Sequence, residues 1–221
     1  MGWLVDAVGL LAKGGLVMIP LLICSIISVA VLLERHIAVK KAHEDVSDLI
    51  HSAEDALYSG QVKKSIEILE SRGSAVSRVL CAGIRSMHLG ERGAERAMEE
   101  QGTRETAALT CRLGCLDTII TIAPLLGLLG TVTGMISAFH VIATKDGIST
   151  PTAITGGVAE ALIATATGLF IAIFTLIGYN GLQERIKGLV AEIEMRGNAM
   201  VNVIAEVSEE GRSSEIKSLS A

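Results

Sequence analysis

Three charge-poor apolar blocks decide what this chain can become. They cover residues 14–33, ending at Glu34-Arg35, residues 118–144, following Asp117, and residues 153–179, whose one charged side chain is Glu160. Each is long enough for a helical bilayer crossing of about 20 residues. Hydrocarbon offers no partner for backbone N–H and C=O groups, so a crossing segment must satisfy its own. The blocks lack the period-two alternation of barrel strands, which leaves helices. Pro20 and Pro124 are expected within or near the first turns of their spans, where a missing N–H costs less than at a helix centre. The chain is 50% hydrophobic but only 3% aromatic and 19% charged. A soluble domain of this size carries more charge and more aromatic core.

Basic residues set the expected orientation. Of nineteen Lys and Arg, twelve lie between Glu34 and Asp117 and five after Tyr179, whereas Lys13 and Lys145 stand alone in the other two connections. The positive-inside rule then places the N-terminus outside, the long connection in the cytoplasm, the short one outside and the C-terminus in the cytoplasm. The expected division is a periplasmic amphipathic helix over 1–13 anchored by Trp3, spans at 14–33, 118–144 and 153–179, a cytoplasmic helical region over 34–117, a periplasmic loop over 145–152 and a cytoplasmic helix and tail over 180–221. Asp6 and Lys13 interrupt the start, which does not read as a cleavable signal peptide.

The charged region is patterned rather than random. Leu49, Ile50, Ala53, Ala56 and Leu57 form one helical stripe, and Ile66, Leu69, Val76, Val79, Leu80 and Ile84 another, broken near Ser71-Arg-Gly-Ser74. Gly60 and Leu89-Gly-Glu-Arg-Gly93 mark further turns. Residues 94–115 are expected to run as one helix directly into the second span. Ile186, Leu189, Val190, Ile193 and Met200 continue a stripe after the third span. The fold class is therefore all-α integral membrane, with three transmembrane helices extended by cytoplasmic ones.

Several function classes drop out. A net charge of −5 leaves no basic footprint for nucleic acid. Cys111 and Cys115 stand at i and i+4, but no second pair supplies a zinc tetrad, so no metal or other cofactor is expected. The motifs of metalloproteases, serine hydrolases, P-loop enzymes and dinucleotide folds are absent, and no nucleophile–base pair suggests an enzyme. His140, near the outer end of the second span, reads as an interface residue.

What remains is chemistry inside the spans. Pro124, Gly127, Thr131, Gly134 and Ala138 share one side of the second span, and Gly130-x-x-x-Gly134 has the spacing of close helix approach. Packing alone accounts for the glycines, while the Thr131 hydroxyl can also hold water in a dry interface. Glu160 admits two readings. It is either a structural carboxylate bonded to a neighbouring helix or a polar point on a proton or cation route, where intramembrane carboxylates commonly occur. At about 100° per residue, Thr167 lies within about 20° of Glu160, Gly168 is at the edge of that face, and Thr165 is about 140° away. One narrow line of side chains cannot include Glu160, Thr165 and Thr167 together, whereas a broad lumen-facing arc, or a helix interface beside a lumen, can; all three, with Thr131, are the candidate ion-pathway residues.

Three groups of residues carry a family resemblance: Met18-Ile-Pro-Leu-Leu-Ile-Cys-Ser25 leading to Glu34-Arg35, Ala123-Pro-Leu-Leu-Gly-Leu-Leu-Gly-Thr131-Val-Thr-Gly134, and Gly157-Val-Ala-Glu160-Ala-Leu-Ile-Ala-Thr165-Ala-Thr-Gly168. Together they resemble the MotA/TolQ/ExbB proton-channel family, on its three-span ExbB/TolQ branch. The resemblance implies an oligomeric ring, a homopentamer in the bacterial inner membrane, whose second and third spans surround a pore. It implies two copies of an ExbD/TolR-like single-span partner inside the ring, carrying the titrating aspartate, and a TonB- or TolA-like transducer beyond it. It matches the family's pore threonines to Thr131 and Thr165 and its third-span glutamate to Glu160. The implied function converts proton-motive force into mechanical work for envelope transport or maintenance. A stand-alone ion channel or transporter and a non-conducting membrane scaffold are the competing readings; the first works without a partner, and the second tolerates loss of Glu160.

Overall fold

The computed structural model describes residues 15–44, 46–144 and 151–219. The expected amphipathic helix over residues 1–13, and residues 145–150 of the short connection, lie outside the described residues. Helix α1 spans Met18–Ala42, α2 Ser47–Tyr58, α3 Val62–Glu70, α4 Ala75–Ser86, α5 Glu91–Thr110, α6 Leu113–Thr144 and α7 Pro151–Leu219, with a single tight turn at Met87–Leu89. No strand occurs among the described residues. Three of the helices are long and apolar enough to cross a membrane. The chain is thus an all-α membrane protein.

Its contacts divide it into two units. The first comprises residues 1–34 and 112–181, the second residues 35–111 and 182–221. In the first, Val17, Met18 and Leu21 of the α1 end pack with Ile119 and Ala123 of α6 and with Ala164, Ile171 and Ala172 of α7. Most large apolar side chains in this unit face outward instead: Ile26, Leu128, Phe139, Leu162 and Phe170 are all exposed. A small buried cluster beside an outward-facing majority of large apolar side chains is the pattern expected where the solvent is lipid.

The second unit is built like a soluble helical domain. Ile50, Ala53 and Leu57 of α2, Leu69 of α3, Val76, Leu80 and Ile84 of α4, and Leu189, Met200 and Ile204 of α7 are buried. The expected break between stripes is real: α3 ends at Glu70, and Ser74 caps α4 by accepting the Ser77 N–H at 3.1 Å. Glu105 of α5 is buried and held by Arg78 of α4, with Nε to Oε1 at 2.7 Å and Nη2 to Oε2 at 2.6 Å; Gln101 adds a third bond at 2.8 Å. Burial works against the Glu105 charge, but the Arg78 and Gln101 hydrogen bonds outweigh it and hold the carboxyl below its ordinary value.

Two expectations need correction. Residues 94–115 do not form one helix leading into the second span. Helix α5 stops at Thr110, Cys111 is extended, and Arg112 takes a left-handed φ of 65°. That conformation costs a non-glycine residue roughly 1–2 kcal/mol; the Arg112 guanidinium pairs with the Glu34 carboxylate at 2.6 Å. Cys111 and Cys115 therefore do not share a helix face, and no group of acidic, His or Cys side chains among the described residues is placed to hold a metal. Pro124 is also deeper than expected. With α6 starting at Leu113 it sits inside the helix rather than in its first turns. Pro20, third residue of α1, is where it was expected.

Candidate functional site: a small-residue seam and its hydroxyls

Helices α6 and α7 meet along a seam that only small residues permit. Ala123, Gly127, Gly130, Gly134 and Ala138 of α6 are buried, as are Ala161, Ala164 and Gly168 of α7. A Cβ placed on Gly134 would lie 2.8 Å from the Gly157 carbonyl oxygen, and one on Gly157 would lie 2.8 Å from that of Gly134. A Cβ on Gly127 would fall 3.0 Å from the Thr165 Cα, one on Gly130 would collide with the Ala164 side chain, and one on Gly168 with the Ala123 carbonyl oxygen. Backbones this close exchange dispersion contacts along their length, the main attraction available between helices in lipid. The five positions singled out on α6 do not share one environment. Gly127, Gly134 and Ala138 are in the seam, whereas Pro124 and Thr131 are half-buried at its edge.

Each of the three candidate threonines gives its hydroxyl proton to a backbone carbonyl. Thr165 reaches across the seam to Gly127 at 3.1 Å and shares the same proton with Ala161 of its own helix at 3.2 Å. Thr131 donates to Leu128 at 2.6 Å and Thr167 to Ile163 at 2.8 Å, each within its own helix. Thr165 is therefore part of the α6–α7 contact, consistent with its large angular offset from Glu160.

Glu160 points elsewhere. Its half-buried carboxylate lies against Gly15, just before α1, so closely that a Cβ on Gly15 would overlap it. Gly15 also has φ 72°, in the left-handed region, and its carbonyl accepts the Met18 N–H at 3.1 Å as α1 begins. The turn and the close approach both call for glycine. The carboxylate and the three hydroxyls thus face different neighbours around one pair of helices.

Sequence reading missed one polar contact inside this unit. Ser28 of α1 and Thr175 of α7 are both buried, with hydroxyls 2.6 Å apart, and Thr175 also bonds the Ile171 carbonyl at 2.7 Å. Since Thr175 gives its proton to Ile171, Ser28 is the donor between them. The one available signal was the presence of single hydroxyls in apolar spans, and nothing in the spacing pairs residues 147 apart. Lower in the chain, burial pushes the Cys81 thiol of α4 up to about 11, which leaves it a packing residue rather than a nucleophile.

The site is thus a pair of long apolar helices joined by a glycine seam and carrying three carbonyl-bonded hydroxyls and one carboxylate. Residues 61–195 match the MotA/TolQ/ExbB proton channel family. A putative ExbB-like biopolymer transport protein of Synechocystis is 36% identical over 172 residues, covering 77% of this chain and 68% of that one. The Tol-Pal system protein TolQ of Haemophilus influenzae is 31% identical over 189 residues, 79% and 81% of the two chains. The biopolymer transport protein exbB1 of Vibrio cholerae is 32% identical over 169 residues, 74% and 73%. The chain belongs to the MotA/TolQ/ExbB proton channel family, on its ExbB/TolQ branch.

Proposed function

We propose that this chain is the ring-forming subunit of a proton-driven motor in the bacterial inner membrane. Several copies, five by resemblance, place α6 and α7 around a central pore. Two ExbD/TolR-like single-span partners stand in the pore and carry the aspartate that takes up and releases the proton. Each charge crossing the membrane releases about 2.3 kcal/mol per 100 mV. Protonation discharges one partner aspartate and makes it a hydrogen-bond donor to the ring; loss of the proton releases it and lets the partner step. A TonB- or TolA-like transducer passes the motion on for envelope transport or maintenance.

The observation that carries this reading is the state of the hydroxyls. Thr131, Thr165 and Thr167 have each given their proton to a carbonyl, so they offer only oxygen lone pairs to anything beside them. Such groups welcome hydronium, water protons or a protonated carboxylic acid, and they do not donate to a bare carboxylate. Glu160, the lone acidic residue between Asp146 and Glu184, adds a carboxyl group on the same pair of helices. In this reading Thr165 both holds the seam and presents its oxygen, and Glu160 shapes and hydrates the path.

The test is substitution in the working assembly. Thr131→Ala and Glu160→Ala are expected to abolish proton-motive-force-dependent work while native mass spectrometry still finds the ring with its partner. Retained work in both variants would sink the reading.

A further inference from the structure

Helix α5 carries its charges in two rows of like sign along its surface. Glu91, Glu95 and Glu99 follow one another four residues apart, and so do Arg92 and Arg96. Like charges at that spacing each oppose the helix by about 0.2–0.5 kcal/mol. All five side chains are exposed, and none of them makes an ion pair among the described residues. Each stripe therefore presents unpaired charge to solvent that an oppositely charged surface can neutralise.

Each stripe borders an apolar feature. Beside the acidic stripe runs a groove of about 840 Å³, with Val79, Met98, Val190 and Ile193 among its lining. Glu95 and Glu99 line it from α5 and Glu194 from α7, and no Lys or Arg does. Beside the basic stripe is Leu89, which is 67% exposed, in a shallow hollow with Arg92 and Arg96. The one acid there, Glu100, is already paired with Arg104 at 2.5 Å. One chain thus displays an acid-rimmed apolar groove and an arginine-flanked leucine on adjoining faces of the same helix, where the two cannot meet. Two copies can bring them together. The contact then joins different surfaces, the heterologous kind that closes into rings.

We propose that the Leu89, Arg92 and Arg96 surface of one copy docks on the Glu95, Glu99 and Glu194 groove of the next, so that the charged region itself specifies head-to-tail assembly. The inference rests on the ring reading above and adds to it an interface outside the membrane spans. Charge complementarity selects a second copy, because both halves of the contact are present in every chain.

Full-length protein in detergent provides the test, with native mass spectrometry giving the copy number and the subunit concentration at half assembly. Arg92→Glu with Arg96→Glu is expected to raise that concentration about tenfold or more at low salt, as is Glu95→Arg with Glu99→Arg. Combining all four substitutions exchanges the stripes and is expected to restore assembly. Circular dichroism of each variant checks that helix content is unchanged, as exposed positions predict. If both pair variants assemble like the parent, or the fourfold exchange fails to rescue, the docking surface is wrong and the ring survives. If the parent itself is monomeric, the ring reading falls and this contact with it.

Discussion

The α6–α7 seam and the α4–α5 contact are both helix-on-helix joints, but different groups hold them. In the seam, glycines and alanines bring backbones together and the Thr165 hydroxyl bonds to the Gly127 carbonyl across the gap. Between α4 and α5 the joint contains a bidentate arginine–glutamate pair with Glu105 buried. The reason is the reference state. In lipid an apolar side chain gains nothing by leaving its surroundings, so close approach and hydrogen bonds do the joining. In water, burying Leu and Ile is worth about 1.5–3 kcal/mol per side chain, enough to carry one buried ion pair.

The sharpest way to break the comparison is to strip the charge partner in the α4–α5 joint. Arg78→Met leaves Glu105 buried without its cation and is expected to destabilise the second unit by about 3 kcal/mol, the lower part of the range for such losses because Arg78 is half exposed. Arg78→Met with Glu105→Leu is expected to recover most of that loss, measured by chemical unfolding. The same pair gives a pH signature. Glu105 titrates below its ordinary value of 4.5, so its contribution is full above that pH and fades as pH falls through the depressed folded-state value.

Glycine substitution sharpens the contrast next, because its sign should differ between regions. Gly168→Ala drives a methyl into the Ala123 carbonyl and is expected to cost about 1–3 kcal/mol through overpacking. Gly188→Ala, in the α7 part of the second unit, meets nothing within 4 Å and is expected to stabilise by about 0.4–1 kcal/mol. Thermal unfolding of both variants in the same detergent reads the two signs side by side.

The smallest effect should come from the hydroxyl pair in the apolar unit. Ser28→Ala removes the 2.6 Å bond to Thr175 and is expected to cost about 0.6 kcal/mol, the average for hydrogen bonds between helices in lipid. A loss as large as that of Arg78→Met would mean that polar contacts dominate both joints and that the distinction between them is wrong.

Much of this was legible in the order of residues. The three apolar segments, the glycine stripe of α6 and the lone Glu160 are local properties, and lipid selects on them residue by residue. The helical-wheel offset between Thr165 and Glu160 was legible too, and the structure gives it content: one faces Gly127, the other Gly15. The helix break at Cys111–Arg112 was not, because no glycine or proline marks it and Arg112 adopts a conformation that its side chain disfavours.

By itself the sequence determined that this is a helical membrane protein, which segments are apolar enough to cross, and that α6 needs a close neighbour. Only the tertiary structure decided which neighbour each polar group has. Ser28 meets Thr175, Arg78 meets Glu105, and Thr165 meets the Gly127 carbonyl. Those pairings depend on how helices distant in the chain are rotated and shifted against one another. Spacing along a single helix carries no record of that.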